Sequence, residues 1–185
     1  MDVLEEAILF AVEKHSGQVR KMAGTPYILH PLEVANIIAT ITKDKDVMAA
    51  GILHDTIEDC GVDPREIRTR FGPRVSALVL SETEDRFSTA SPESTWMERK
   101  QDSLLALEHT KDISVKILWL GDKLSNMRSF AREHRKVGDA LWQNLHQKDP
   151  KIQQWYYDSI AENLKELSDT EAYQEYIKLV REVFG

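Results

Sequence analysis

Apolar residues recur three or four positions apart along most of the chain, a spacing that restricts it to helices packed against helices. Val3, Leu4, Ala7, Ile8 and Ala11 form one stripe and Leu32, Ala35, Ile38 and Ala39 another, whereas β-branched runs of alternating polarity are scarce. The expectation is an all-α fold, a single helical bundle of about eight to ten helices. Asp63, Pro64 and Glu66 supply an N-cap, a first-turn proline and an N3 carboxylate, and Thr95 with Glu98 repeats the capping-box spacing. Further helices are predicted over 46–58, 74–82, 96–109, 113–133, 150–167 and 170–183. The run "SVKILWLG", 114–121, is apolar enough for a buried strand, but helix is favoured; the polar stretch 81–94 is the longest expected loop.

The chain has 185 residues, 42% of them hydrophobic, enough for one continuous core, and neither a repeat nor a Gly-, Pro- or Ser-rich linker divides it. Its net charge of −7 is spread among interspersed acids and bases, which argues against a nucleic-acid polymer as partner. No apolar run approaches the roughly 20 residues that cross a bilayer, and Met1 is followed by Asp2, Glu5 and Glu6 rather than by a basic leader. A cytoplasmic protein with no membrane partner is expected. Cys60 is the sole cysteine, so no intramolecular disulfide can form, and a small, partly buried thiol is its expected role. Trp155, Tyr156, Tyr157, Ile160 and Leu164 are expected to pack between helices, and a homo-oligomer is compatible with the sequence.

Charge is placed where apolar residues would be cheaper. "GILHDTIEDC", 51–60, carries one histidine and three carboxylates; if the 46–58 helix continues one turn, His54 stands over Glu58 and Asp55 over Asp59. Such groups are costly inside a core unless paired or ligating a cation, and the alternative is a helix end emerging into water. His30 precedes Pro31, which predicts an extended residue at a helix start. Asp122 interrupts the apolar part of "LWLGDKLSNMRS", with Asn126 and Ser129 following on its helical face. The two imidazoles and two carboxylates of His30, His54, Asp55 and Asp122 suit a manganese, zinc, iron or magnesium ion. Such an ion acidifies water, and Glu58 and Asp59 are placed to orient that water or move its proton. Lys123 and Arg128 are expected to be solvated or ion-paired, His15 to be structural or supporting, and His109, His134 and His146 to be exposed.

This pattern resembles the HD-domain phosphohydrolases. "HSGQVRKMAGTPYILHPLEVA" (15–35), "AAGILHDTIEDC" (49–60), "FGPRVSALV" (71–79) and "VKILWLGDKLSNMRS" (115–129) are similar to the hydrolase domain of RelA/SpoT-type proteins and their small stand-alone relatives, the alarmone hydrolases. The resemblance implies an all-α domain over 1–185, its motifs within 15–129 and the helices of 150–183 packed on it. It implies that His30, His54, Asp55 and Asp122 bind one divalent ion, most often Mn2+, and that Glu58 and Asp59 handle the attacking water. Arg20 would lie near a nucleotide base, Lys21 near phosphate, and Asn126 and Ser129 along the sugar and phosphate. The implied reaction is hydrolysis of the 3′-pyrophosphate of guanosine tetra- or pentaphosphate, (p)ppGpp, to GDP or GTP and pyrophosphate. A chain of this length would lack a synthetase domain and only remove the alarmone. Gly121 stands where the family has alanine, and the 81–100 segment, which matches no family pattern, is where substrate choice would be decided. The alternatives are an HD phosphohydrolase acting on another nucleotide phosphoester and a non-catalytic nucleotide-binding module.

Overall fold

Short polar caps decide where most helices begin. In the computed structural model, which describes residues 2–84, 91 and 93–185, α1 (Val3–Lys14) opens on a capping box between Asp2 and Glu5. Asp44 accepts from Asp46 N–H at the start of α3 (Lys45–Leu53), and Asp63 accepts from Arg65 N–H ahead of Pro64 in α5 (Pro64–Phe71). Asp112 and Asp149 do the same for α8 (Ile113–Val137) and α9 (Pro150–Asn163), and Thr170 for α10 (Glu171–Phe184). The remaining helices are α2 (Leu29–Ile41), α4 (Thr56–Cys60), α6 (Pro73–Glu82) and α7 (Trp96–His109). Two 3₁₀ segments, Gly138–Asn144 and Lys165–Leu167, complete the described elements, among which there is no strand.

Four boundary expectations fail, each for a local reason. The Thr95–Glu98 box does not form: the Thr95 hydroxyl donates to Ser91 O instead and accepts from Arg99 Nε, both at 3.2 Å. His30 is not extended but is the second residue of α2, because hydrogen bonds from Leu29 N to Pro26 O and His30 N to Tyr27 O carry the helix back past Pro31. Pro31 is tolerated there because first-turn N–H groups have no helical partner to lose. The 46–58 helix is broken at His54–Asp55: the His54 ring donates to Gly51 O at 2.8 Å and the Thr56 hydroxyl to Leu53 O at 2.7 Å, so side chains take carbonyls near the break. In the C-terminal part, α9 stops at Asn163 and yields to the 3₁₀ turn rather than running to 167. Of the expected 81–94 loop, α6 occupies the first two positions, and residues 85–90 and 92 lie outside the described residues.

Helix α8, which includes the 114–121 run, is the central element and packs against α2, α3, α6 and α10. The C-terminal helices hold to it and to each other through polar ties at an aromatic layer. Tyr176 donates to Tyr157 O at 2.8 Å, Tyr173 to Ala161 O at 2.9 Å, and Arg128 and Arg135 on α8 pair with Glu175 and Glu182 on α10. Tyr156, Tyr157, Ile160 and Leu164 are buried, whereas Trp155 is 38% exposed. No helix among the described residues is long and apolar enough to cross a membrane.

Helix α2 lies unusually close to its neighbours. A Cβ on Gly51 of α3 would fall 2.5 Å from Ile38 Cδ1, and one on Gly121 of α8 would fall 2.9 Å from Ile38 Cγ1 and 3.2 Å from Val34 Cγ1. Alanine at 121 gains about 1 kcal/mol of helix propensity but forces an overpacking typically worth about 1–3 kcal/mol. Gly121→Ala should therefore lower the urea midpoint with an unchanged m value, a net loss of up to about 2 kcal/mol.

Candidate functional site

Four donors converge where α2, the α3–α4 turn and α8 meet. His30 Nε2 lies 3.1 Å from Asp122 Oδ1 and 3.6 Å from Asp55 Oδ2, while His54 Nε2 lies 2.9 Å from Asp55 Oδ2 and 3.5 Å from Asp122 Oδ1. Donor atoms of His30, His54 and Asp122 all fall within 4.8 Å of one another, and these three residues are buried. The four residues singled out from the sequence are thus neighbours around one point.

Their outward contacts fix which atoms face that point. The His54 Nδ1–H donates to Gly51 O, leaving Nε2 buried with no hydrogen-bond partner. His30 Nδ1 is 2.8 Å from Ser125 Oγ, and the Ser125 hydroxyl donates onward to Glu33 Oε2 at 2.6 Å, so the serine accepts from His30. Both imidazoles therefore turn Nε2 toward the two carboxylates. Burial holds the His30 pKa down, with Asp122 opposing it; at His54 burial also opposes charge, but Asp55 and Asp122 outweigh it and hold the ring well above its usual range. Asp122 stays well below the usual carboxylate range despite burial, held there by Lys123, His30 and His54. Two imidazole nitrogens and two carboxylates facing one point offer a cation an N2O2 set that fits a divalent borderline ion.

Tyr27 donates to Asp55 Oδ2 at 2.6 Å, and burial with the facing carboxylates pushes its own pKa far up, which keeps it a donor. His15 is buried, donates from Nδ1 to Gln18 Oε1 at 2.8 Å, and stacks on Tyr27 at 4.9 Å. Ser125, Glu33 and Tyr27 were not anticipated as site residues. Ser125 had a signal, three positions after Asp122 on the same helix; the other two become partners only through tertiary packing.

Beside the four donors opens a cleft of about 790 Å3, whose lining includes Glu58 and Asp59 of α4 and Arg20, Lys21, Asn126 and Ser129. The Arg20 guanidinium donates to Asn126 Oδ1 at 3.0 Å and Ser129 Oγ at 3.4 Å, and lies 5.6 Å from the Tyr27 ring centre. Arg20 is carried by a tight turn: Arg20 N bonds Thr25 O, Gly24 N bonds Arg20 O, and Gly24 takes the left-handed φ of 65° that glycine tolerates. Asn126 Nδ2 in turn donates to Asp122 Oδ1 at 2.8 Å, linking the cleft wall to the four donors. Glu58 Oε2 accepts from Glu84 N–H at 3.1 Å, which orients its carboxylate.

Two further cations line the cleft without a sequence motif to announce them. Arg99 and Lys100 of α7 both pair with Glu84, and Lys100 also lies 5.1 Å from the Tyr156 ring centre. Lys123 is half-buried and ion-paired, with Asp122 at 2.5 Å and Glu82 at 3.5 Å; burial pushes the Glu82 carboxyl up to about 7 against the pull of Lys123. Arg128 is ion-paired with Glu33 and Glu175. Of the outer histidines, His109 and His146 are exposed and His134 is half-buried.

An HD domain family model matches residues 7–150. A "GTP pyrophosphokinase" of Myxococcus xanthus is 34% identical over 131 residues, 70% of this chain and 17% of that protein. A "guanosine-3′,5′-bis(diphosphate) 3′-pyrophosphohydrolase" of Aquifex aeolicus is 39% identical over 136 residues, 72% of this chain and 19% of that protein. The chain thus spans less than a fifth of the length of these curated relatives. Among solved structures, a metazoan ortholog of SpoT described as hydrolyzing ppGpp superposes with a TM-score of 0.78 at 22% identity, over 98% of this chain and 95% of that one.

The Glu33–Ser125–His30 line generates a prediction. Outer partners of ligating histidines are typically worth about 10–100-fold in metal affinity. If the four residues hold a divalent ion, Ser125→Ala should weaken its binding measured by calorimetry by about tenfold while the helical circular dichroism is unchanged.

Proposed function

The chain belongs to the HD domain family, and from that premise we propose that it hydrolyses the 3′-pyrophosphate of (p)ppGpp, releasing GDP or GTP and pyrophosphate. The observation that carries the proposal is the joining of the His30, His54, Asp55 and Asp122 group to a cleft whose wall places Arg20 against Asn126 and Ser129. The activity named for the Aquifex relative and the ppGpp hydrolysis named for the metazoan structure point the same way.

In this reading His30, His54, Asp55 and Asp122 hold one divalent ion; the mixed nitrogen and oxygen set suits manganese, zinc, iron or magnesium, and Mn2+ is the one the family resemblance favours. When bound, the ion supplies Lewis acidity toward water and phosphoryl oxygen. Glu58 and Asp59 orient the water that attacks the phosphorus bonded to O3′ and accept its proton; the O3′–P bond breaks, and O3′ takes up a proton as the nucleoside diphosphate or triphosphate leaves. Arg20 flanks the base, while Lys21, Asn126 and Ser129 lie along the sugar and phosphates. The cleft's cations offset phosphate charge that a chain of net charge −7 would otherwise repel. The substrate is a free small nucleotide, and the compartment proposed is the cytoplasm.

Pyrophosphate release from guanosine tetraphosphate with added Mn2+ is the direct test, run beside a panel of 2′-, 3′- and 5′-phosphorylated nucleotides. Turnover of another member of the panel but not of the alarmone would reject the substrate and keep the chemistry. Asp122→Ala is expected to remove bound metal and turnover together. Glu58→Gln should retain metal and lower kcat by about 10²–10⁴-fold; full activity in that variant would reject the water-handling role.

A further inference from the structure

Behind the four donors lie two charged groups that the chemistry above does not use. Glu82 ends α6 with a side chain 3% exposed, and the Lys123 side chain is 12% exposed. The Lys123 ammonium lies 2.5 Å from Asp122 Oδ2, 3.5 Å from Glu82 Oε2 and 4.6 Å from the Trp119 ring centre. Asp122 meanwhile turns its other oxygen, Oδ1, toward both imidazoles and Asn126. Glu82 Oε1 is buried and has no hydrogen-bond partner. A half-satisfied buried carboxylate is a liability that an apolar residue of similar size would not carry.

We infer that Glu82 is a positioning residue for the divalent ion, acting through Lys123 on Asp122. With Glu82 present, one ammonium is shared between two carboxylates, and Asp122 keeps most of its negative charge for a cation at Oδ1. Without it, the ammonium belongs to Asp122 alone, and an incoming cation meets a carboxylate already neutralised. Charge at these separations in a partly desolvated site is felt strongly. The trio also ties α6 to the centre, so the metal site draws on four segments rather than three. This inference rests on the metal-binding reading above.

The test is Mn2+ affinity by calorimetry at pH 8 on the full chain, in the wild type, Glu82→Gln, Lys123→Met and the double variant, with Asp122→Ala as the reference for a destroyed site. Glu82→Gln is expected to weaken Mn2+ binding about tenfold. Relieved of an excess buried charge, its metal-free Tm should stay level or rise by about 2–4 °C. In the Lys123→Met background the same substitution should change affinity by less than about twofold, since the group it acts through is gone. Should Lys123→Met fail to fold, Glu82→Asp replaces it and should recover part of the affinity lost in Glu82→Gln. Wild-type affinity in Glu82→Gln overturns the inference alone. So does an equal loss with and without Lys123, or a loss that comes with a lowered metal-free Tm. A wild type that binds Mn2+ no better than Asp122→Ala overturns the metal reading and this inference with it.

Discussion

The arrangement depends on how closely α2 can approach α3 and α8. Helices ordinarily pack about 8–10 Å apart, a distance set by the side chains between them. Here Gly51 and Gly121 present bare backbone to Val34 and Ile38, so α2 sinks between its two neighbours. Each glycine sits beside a site residue: Gly51 lends its carbonyl to the His54 ring, and Gly121 precedes Asp122. The close contact that fills the core is therefore also what brings His30 within 3.1 Å of Asp122. The loss of helix propensity at both glycines is repaid by that approach.

Around the point so defined, electrostatics and hydrogen bonding divide the labour. The imidazoles are turned by outward contacts so that both Nε2 atoms face inward toward the carboxylates. On the cleft side, Arg20, Lys21, Arg99 and Lys100 supply the opposite sign, partly quenched by Glu84. A chain that is acidic overall thus keeps an acidic centre and a basic wall side by side, which suits a ligand that is anionic along most of its length.

Much of this was legible in the sequence, and the misses share a cause. The Asp63–Pro64 start, the helical nature of 114–121 and the grouping of His30, His54, Asp55 and Asp122 follow from local capping, periodicity and the cost of burying charge. The break at His54–Asp55 and the position of His30 inside α2 were hidden because side-chain and turn hydrogen bonds overrode helix and proline statistics. Tyr27 and Glu33 become partners of the centre only in the packed fold, whereas Ser125 stands one turn from Asp122 on the same helix. Arg99 and Lys100 stand on α7 with nothing in their spacing to distinguish them from a solvated helix face.

The interruption between α3 and α4 has an entropic side. Consecutive residues of an unbroken helix point about 100° apart, so neighbours cannot readily address one spot. The turn at His54–Asp55 lets them do so, with Nε2 and Oδ2 only 2.9 Å apart. For an ion held there, two adjacent residues would form a bidentate chelate needing almost no loop closure between them, whereas His30 and Asp122 must each be delivered by long stretches of chain. An ion held there would keep half its ligands on one short clip while α2 or α8 fluctuated, and would be released in stages rather than at once.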